Sequence, residues 1–187
     1  PDEIEKRIIK HSWIEKVKVT RQFPSTIGIR VWIHKPLALI NLIKEKESRL
    51  YYLDKRGVIF TDASGYEDID FPVISGDISQ TTMSAMQLAD NTLDQQALYF
   101  LTLASKGNAV LPIQAISEIQ IDKEKGLVVY LAENPFPIYI GQDNIKESYY
   151  RLVKILRQLY RRNKITDIAK IQLDYTENKV LVTMIQQ

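Results

Sequence analysis

The clearest signal along the chain is a strict two-residue alternation over residues 27–34. Ile27, Ile29, Val31 and Ile33 alternate with Gly28, Arg30, Trp32 and His34, the pattern of a strand with one apolar face. Upstream, Ile4, Ile8 and Ile9 stand at helical spacing among charges over residues 2–10. His11-Ser12-Trp13-Ile14 follows, then a short strand containing Val17 and Val19. Phe23-Pro24-Ser25-Thr26 is a turn cluster, because Pro fixes φ and the hydroxyls bond locally. Residues 2–35 therefore predict helix, strand, turn, strand. Lys35-Pro36 disfavours continuation of that strand, which places a domain junction near residues 34–38.

Further along, Arg49–Asp54 and Val58–Thr61 flank Lys55-Arg56-Gly57 and predict a hairpin. Phe71-Pro72-Val73-Ile74-Ser75-Gly76 predicts an extended segment ending in a glycine turn. Residues 77–90 are polar and uncharged except at their ends, which suits a linker or the start of a helix. Leu93, Ala97, Leu98, Leu101 and Ala104 predict a helix over 91–106, with Gly107 placed to cap it. Strands are expected at 116–122, 127–132 and 136–140, as an antiparallel meander. The strongest helical stripe, Tyr149, Leu152, Val153, Leu156, Leu159 and Tyr160, predicts a helix over about 144–162. Two last strands are expected at 169–175 and 179–185, joined by Thr176-Glu177-Asn178.

Composition narrows the class. The 187 residues suffice for one large domain or two small ones. A 45% hydrophobic share is that of a globular chain. The net charge of +2 is too small to imply nucleic acid. With no cysteine, a disulfide scaffold and a thiolate metal site are excluded. No apolar run approaches the roughly 20 residues of a membrane span, and the start at Pro1-Asp2-Glu3-Ile4 suggests a fragment with residues missing upstream.

Candidate chemistry is sparse. His11 and His34 stand far apart in different elements, so structural or surface roles are expected for both. There is no G-x-S-x-G motif, and the seven glycines do not cluster into a phosphate loop. Asp54, Asp62, Asp68 and Asp70 lack the spacing and closing Glu of a calcium loop and read as a solvated loop. No catalytic residue, cofactor site or metal site is assigned, and no enzymatic activity is expected.

The resemblance lies in three blocks. His11-Ser12-Trp13-Ile14-Glu15-Lys16-Val17-Lys18-Val19-Thr20-Arg21-Gln22-Phe23-Pro24-Ser25-Thr26-Ile27 and Ile29-Arg30-Val31-Trp32-Ile33-His34-Lys35-Pro36-Leu37-Ala38 resemble the closing hairpin of a POTRA module. Tyr52-Leu53-Asp54-Lys55-Arg56-Gly57-Val58-Ile59-Phe60 resembles an "LLD–G–F" hairpin, and Phe71-Pro72-Val73-Ile74-Ser75-Gly76 an "LP-L-G" segment. In this order they resemble the FtsQ/DivIB family of bacterial cell-division proteins. Ser12 and His34 depart from the family's usual Pro and acidic residue.

The resemblance implies an α+β fold. Residues 1–35 would be the C-terminal part of a POTRA module, its first strand and helix missing. Residues 36–187 would be a mixed α/β domain with a mainly antiparallel sheet and two longer helices. It also implies a single-pass protein of the bacterial inner (cytoplasmic) membrane, anchored upstream of this region, which would be extracytoplasmic. As a septation scaffold it would have FtsB/DivIC-type and FtsL-type coiled-coil proteins as partners, with other divisome components. A POTRA-containing outer-membrane assembly or transport factor is the alternative.

Two features bear on partners. Lys146, Arg151, Lys154, Arg157, Arg161, Arg162 and Lys164 face Glu147 alone, which suits a solvated helix face or a partner-binding one; nucleic acid is not expected. The final strand either completes the sheet or offers an open edge to a partner's strand. By resemblance, an FtsB-type partner adds there, which assigns Tyr175, Lys179, Val180, Leu181, Val182, Thr183, Met184 and Ile185 to the contact. Asp174 stands where the family commonly has Arg.

Overall fold

The computed structural model describes residues 2–44, 47–66, 69–176 and 179–185, without the side chains of residues 44 and 174–176. It has two sheets. The smaller pairs β1 (Ile14–Gln22) with β2 (Thr26–Ile33) antiparallel, with helix α1 (Asp2–Ile8) packed on β1. Glu5 fixes that helix by accepting the Val19 amide through Oε1 at 2.6 Å.

The larger sheet has nine strands. β3 (Pro36–Lys44), β4 (Glu47–Asp54), β5 (Ile59–Asp62) and β6 (Val73–Gly76) form one end. β7 (Ile116–Asp122), β8 (Gly126–Leu131), β9 (Ile138–Gly141), β10 (Ile168–Thr176) and β11 (Lys179–Met184) form the other. Their order is β11-β10-β9-β8-β7-β6-β3-β4-β5. The pairings β3–β6, β6–β7 and β9–β10 are parallel and the others antiparallel. A mixed α/β architecture with a mainly antiparallel sheet is what the sequence suggested, and the expected β7–β8–β9 meander is present.

The parallel pairings need crossovers, since a tight turn cannot join parallel neighbours. Helices α2 (Gln80–Ala85) and α3 (Leu93–Ala104) carry the chain from β6 to β7, and α4 (Ile145–Arg161) from β9 to β10. α3 and α4 touch through Phe100 and Tyr149, whose rings meet edge-on at 5.3 Å. The Tyr149 hydroxyl donates to the Leu111 carbonyl at 3.1 Å. Their apolar stripes cover one sheet face, burying Ile40, Leu53, Ile74, Ile119, Val129, Ile138 and Ile171.

Two segments differ from the sequence reading. Residues 36–44, left without an element beyond the junction expected near 34–38, form β3 inside the sheet. Ala38, Ile40 and Leu42 face the helical layer while Leu39 enters a second cluster with Tyr52 and Ala63. A strand buried on both faces is a continuous apolar run without alternation. Pro36 is tolerated as its first residue. Within the polar stretch 77–90, α2 forms because Ser79 caps it by accepting the Thr82 amide at 3.1 Å. Buried Asp94 then accepts both the Ser79 amide and the Thr82 hydroxyl.

Candidate partner-binding edge

β11 ends the sheet. Among the described residues it pairs only with β10, through Lys170↔Thr183, Ile171↔Val182 and Gln172↔Leu181. The direction of its backbone groups follows from β10's other neighbour. Ile171 donates its amide to the Pro137 carbonyl, beside β9, at 3.1 Å. Its N–H and C=O therefore point away from β11, so Ile171↔Val182 is a non-hydrogen-bonded pair. The N–H and C=O of Val182 consequently point outward, and by alternation so do those of Val180. Leu181 and Thr183 turn theirs toward β10. The open edge thus presents backbone donors and acceptors at alternate residues.

Val180 and Val182 are half-buried and pack against the main core. Leu181 and Thr183 are half-buried, and Lys179, Met184 and Ile185 are exposed. Beyond Met184, the Ile185 amide donates to the Asp167 carbonyl at 2.8 Å, tying the end of the strand to the turn before β10. Tyr175 belongs to β10 by its backbone. The side chains of Tyr175 and Asp174, and residues Glu177 and Asn178 of the expected turn, lie outside the described residues.

Helix α4 packs on β9 and β10, beside this edge. Its buried stripe includes Tyr149, Leu152, Val153 and Leu156. Lys154 and Arg157 are exposed, Arg151 pairs with Glu147 at 2.8 Å, and Lys164 with Asp167 at 3.4 Å. Two of the sequence's basic stripe thus have acidic partners within the chain.

At the opposite end of the sheet, the segment before β1 packs on β4 and β5. Trp13 lies 5.3 Å from Tyr52, 5.2 Å from Phe60 and 5.5 Å from Tyr66, and the Ser12 hydroxyl donates to Thr61 Oγ1 at 3.0 Å. Beside them the His34 ring stacks on Phe60, and its Nδ1 sits 3.0 Å from Asp54 Oδ2. Asp54 also accepts the Arg56 amide at 2.9 Å, the Val58 amide at 3.0 Å and the Arg56 guanidinium at 3.1 Å, and that guanidinium reaches Glu15 of β1. Burial pushes the Asp54 carboxyl up, but the bonds from His34, the two amides and Arg56 outweigh it and leave it below its ordinary value.

Asp54 is therefore a buried clamp between the two sheets and not part of the solvated loop expected from the aspartate series. Sequence spacing could not pair it with His34, 20 residues upstream. Asp62 caps Ser64, Asp70 is exposed and Asp68 lies outside the described residues. Among the described residues no group of His, Asp and Glu is arranged to hold a metal ion.

Comparison with known families decides the relationship. Residues 42–175 match the C-terminal region of the cell division proteins FtsQ/DivIB. The chain belongs to the FtsQ/DivIB family. Residues 1–32 match the FtsQ-type POTRA domain, the part that here forms α1 and the β1–β2 hairpin. Curated relatives carry the name cell division protein FtsQ. That of Geotalea daltonii is 28% identical over 179 residues, 96% of this chain and 62% of its own. That of Geobacter sp. strain M21 is 30% identical over 176 residues, 94% and 61%. That of Syntrophotalea carbinolica is 31% identical over 166 residues, 89% and 56%. The chain spans about three-fifths of the length of these FtsQ relatives. Among its described residues, no helix is long and apolar enough to cross a membrane.

Proposed function

We propose that this chain is the extracytoplasmic part of a membrane-anchored, non-catalytic division scaffold, which recruits a partner by β-strand addition at β11. Residues 1–35 serve as the C-terminal part of a POTRA module and residues 36–187 as the partner-binding domain. The partner is an FtsB/DivIC-type segment, with an FtsL-type protein in the same assembly. One observation carries this reading. β11 turns the N–H and C=O of Val180 and Val182 outward at the end of the nine-stranded sheet.

The physical case is one of complementarity. An extended segment beside β11 satisfies those backbone groups and gains affinity from the ladder, while alternate side chains supply selectivity. The half-buried Val180 and Val182 offer it an apolar row continuous with the core, and exposed Met184 and Ile185 lengthen the contact. Lys179, Leu181, Thr183 and Tyr175 complete the proposed contact set. At the other sheet end, the Ile59 amide of β5 is already given to the Met86 carbonyl at 3.0 Å.

Calorimetric titration with a peptide from an FtsB-type partner tests the proposal. Val182→Pro removes an outward donor, and Tyr175→Ala removes an aromatic contact. Both are expected to weaken binding by tenfold or more, the scale of one or two lost interactions. Unchanged affinity in both variants defeats strand addition at this edge.

A further inference from the structure

The β1–β2 hairpin carries a surface that partner recruitment at β11 leaves unused. Residues 16–32 contain Lys16, Lys18, Arg21 and Arg30 and no acidic residue. The register sets Lys18 opposite Arg30 and Lys16 opposite Trp32, so these four share one face. Lys16 Nζ lies 5.3 Å from the Trp32 ring centroid and Arg30 Cζ lies 6.0 Å from it. The nearby carboxylate on α1, Glu5, is engaged by the Val19 amide.

The tip is apolar where a soluble turn is ordinarily polar. Phe23 is 97% exposed, and Ile27, which follows the turn, is half exposed. Arg21 stands opposite Ile27, and Lys18 with Arg30 lies a few residues behind. At about 3.3 Å per residue, the eight-residue β2 carries this tip roughly 25 Å from the Trp13–His34 junction. A projecting aromatic flanked by unopposed cations fits a fluid anionic interface that closes around it. The ring enters the headgroup boundary while the cations stay at the phosphates.

From these observations we propose that the β1–β2 tip is a membrane-contact element, docking Phe23 into an acidic phospholipid surface with Lys18, Arg21 and Arg30 as its phosphate contacts. The occupant is a bilayer rather than a rigid partner because the feature is a convex projection, with charge of one sign around an apolar point. Docking there holds the hairpin against a membrane and leaves β11, on the other sheet, open.

Vesicle co-sedimentation of the 187-residue chain tests this, using phosphatidylglycerol vesicles against phosphatidylcholine vesicles at low salt. Binding is expected to the anionic vesicles only, with a blue shift of Trp32 fluorescence. Phe23→Ser is expected to weaken it several-fold without altering the thermal melt, since the ring touches little of the fold. Lys18→Gln with Arg30→Gln is expected to weaken it by roughly twenty- to thirtyfold, at about fivefold per cation near such a surface. Lys154→Gln with Arg157→Gln, on the exposed face of α4, leaves it unchanged. Absence of binding to phosphatidylglycerol overturns the proposal. So does equal binding by Phe23→Ser and the parent chain, or loss confined to the α4 variant, which places the membrane contact on α4.

Discussion

Ile171 and Val182 face each other across β10 and β11 without sharing a hydrogen bond, because the Ile171 amide is committed to Pro137 on the opposite side. That relationship orients the whole terminal strand. It also makes adjacent residues of β11 respond differently to the same substitution.

Proline is the discriminating probe. Val182→Pro removes an N–H that points outward, so it is expected to cost no more than about 1 kcal/mol of folding stability, mostly from altered packing. Leu181→Pro removes an N–H directed at β10 and is expected to cost about 3 kcal/mol. Urea denaturation of the two variants checks the difference. A larger loss for Val182→Pro than for Leu181→Pro would mean that the edge is oriented the other way, and equal losses would argue against this alternation.

Asp54 predicts an acid sensitivity with a definite sign. Its folded-state pKa lies below its ordinary value, so the folded protein holds this carboxylate deprotonated more tightly than the unfolded chain does. The resulting stability is fully present above about pH 5 and is lost as pH falls below about 4, through the folded value. The urea midpoint of the parent is expected to fall between pH 5 and pH 3. In Asp54→Asn the fall is smaller, with a remainder from Asp62 and Asp122, which are also held low. The substitution also costs about 2–4 kcal/mol at pH 7, because His34 and Arg56 lose their buried partner.

Trp13 joins the hairpin to the sheet by packing on Tyr52, Phe60 and Tyr66. Trp13→Ala is expected to cost about 3 kcal/mol. Hydrogen exchange should show the β1–β2 amides losing protection before those of β7 and β8. Uniform loss across both sheets would argue against a separate docking step.

Gly76 ends β6 at φ +90°, where a Cβ would sit 2.3 Å from the Ile121 carbonyl oxygen. Gly76→Ala therefore meets both left-handed strain and a backbone clash. A loss of about 3 kcal/mol or more is expected in thermal or urea unfolding. Gly107, at φ +83° with open space around the missing Cβ, should tolerate alanine at about 1 kcal/mol.

The sequence by itself determined most of the elements. The alternation at 27–33 produced β2, the stripe from Tyr149 to Leu156 produced α4, and the turn chemistry around Gly57 marked a hairpin. Those signals are local, because each period is written into the segment's own residues, whether its apolar face ends buried, as on α4, or exposed, as on β2 at Ile27, Ile29 and Ile33. The motif blocks also pointed to the family, because their order and spacing survive without coordinates. Tertiary structure alone decided the rest. β3 was invisible as a strand because burial of Leu39 on one face and Ile40 on the other erases alternation. Asp54 was unreadable as a clamp because its partner His34, and the Glu15 that Arg56 reaches beside it, come from other segments. The outward turn of Val182 depends on an Ile171–Pro137 bond between strands joined through a helix, and hydrogen-bond direction across a sheet leaves no periodic trace in the chain.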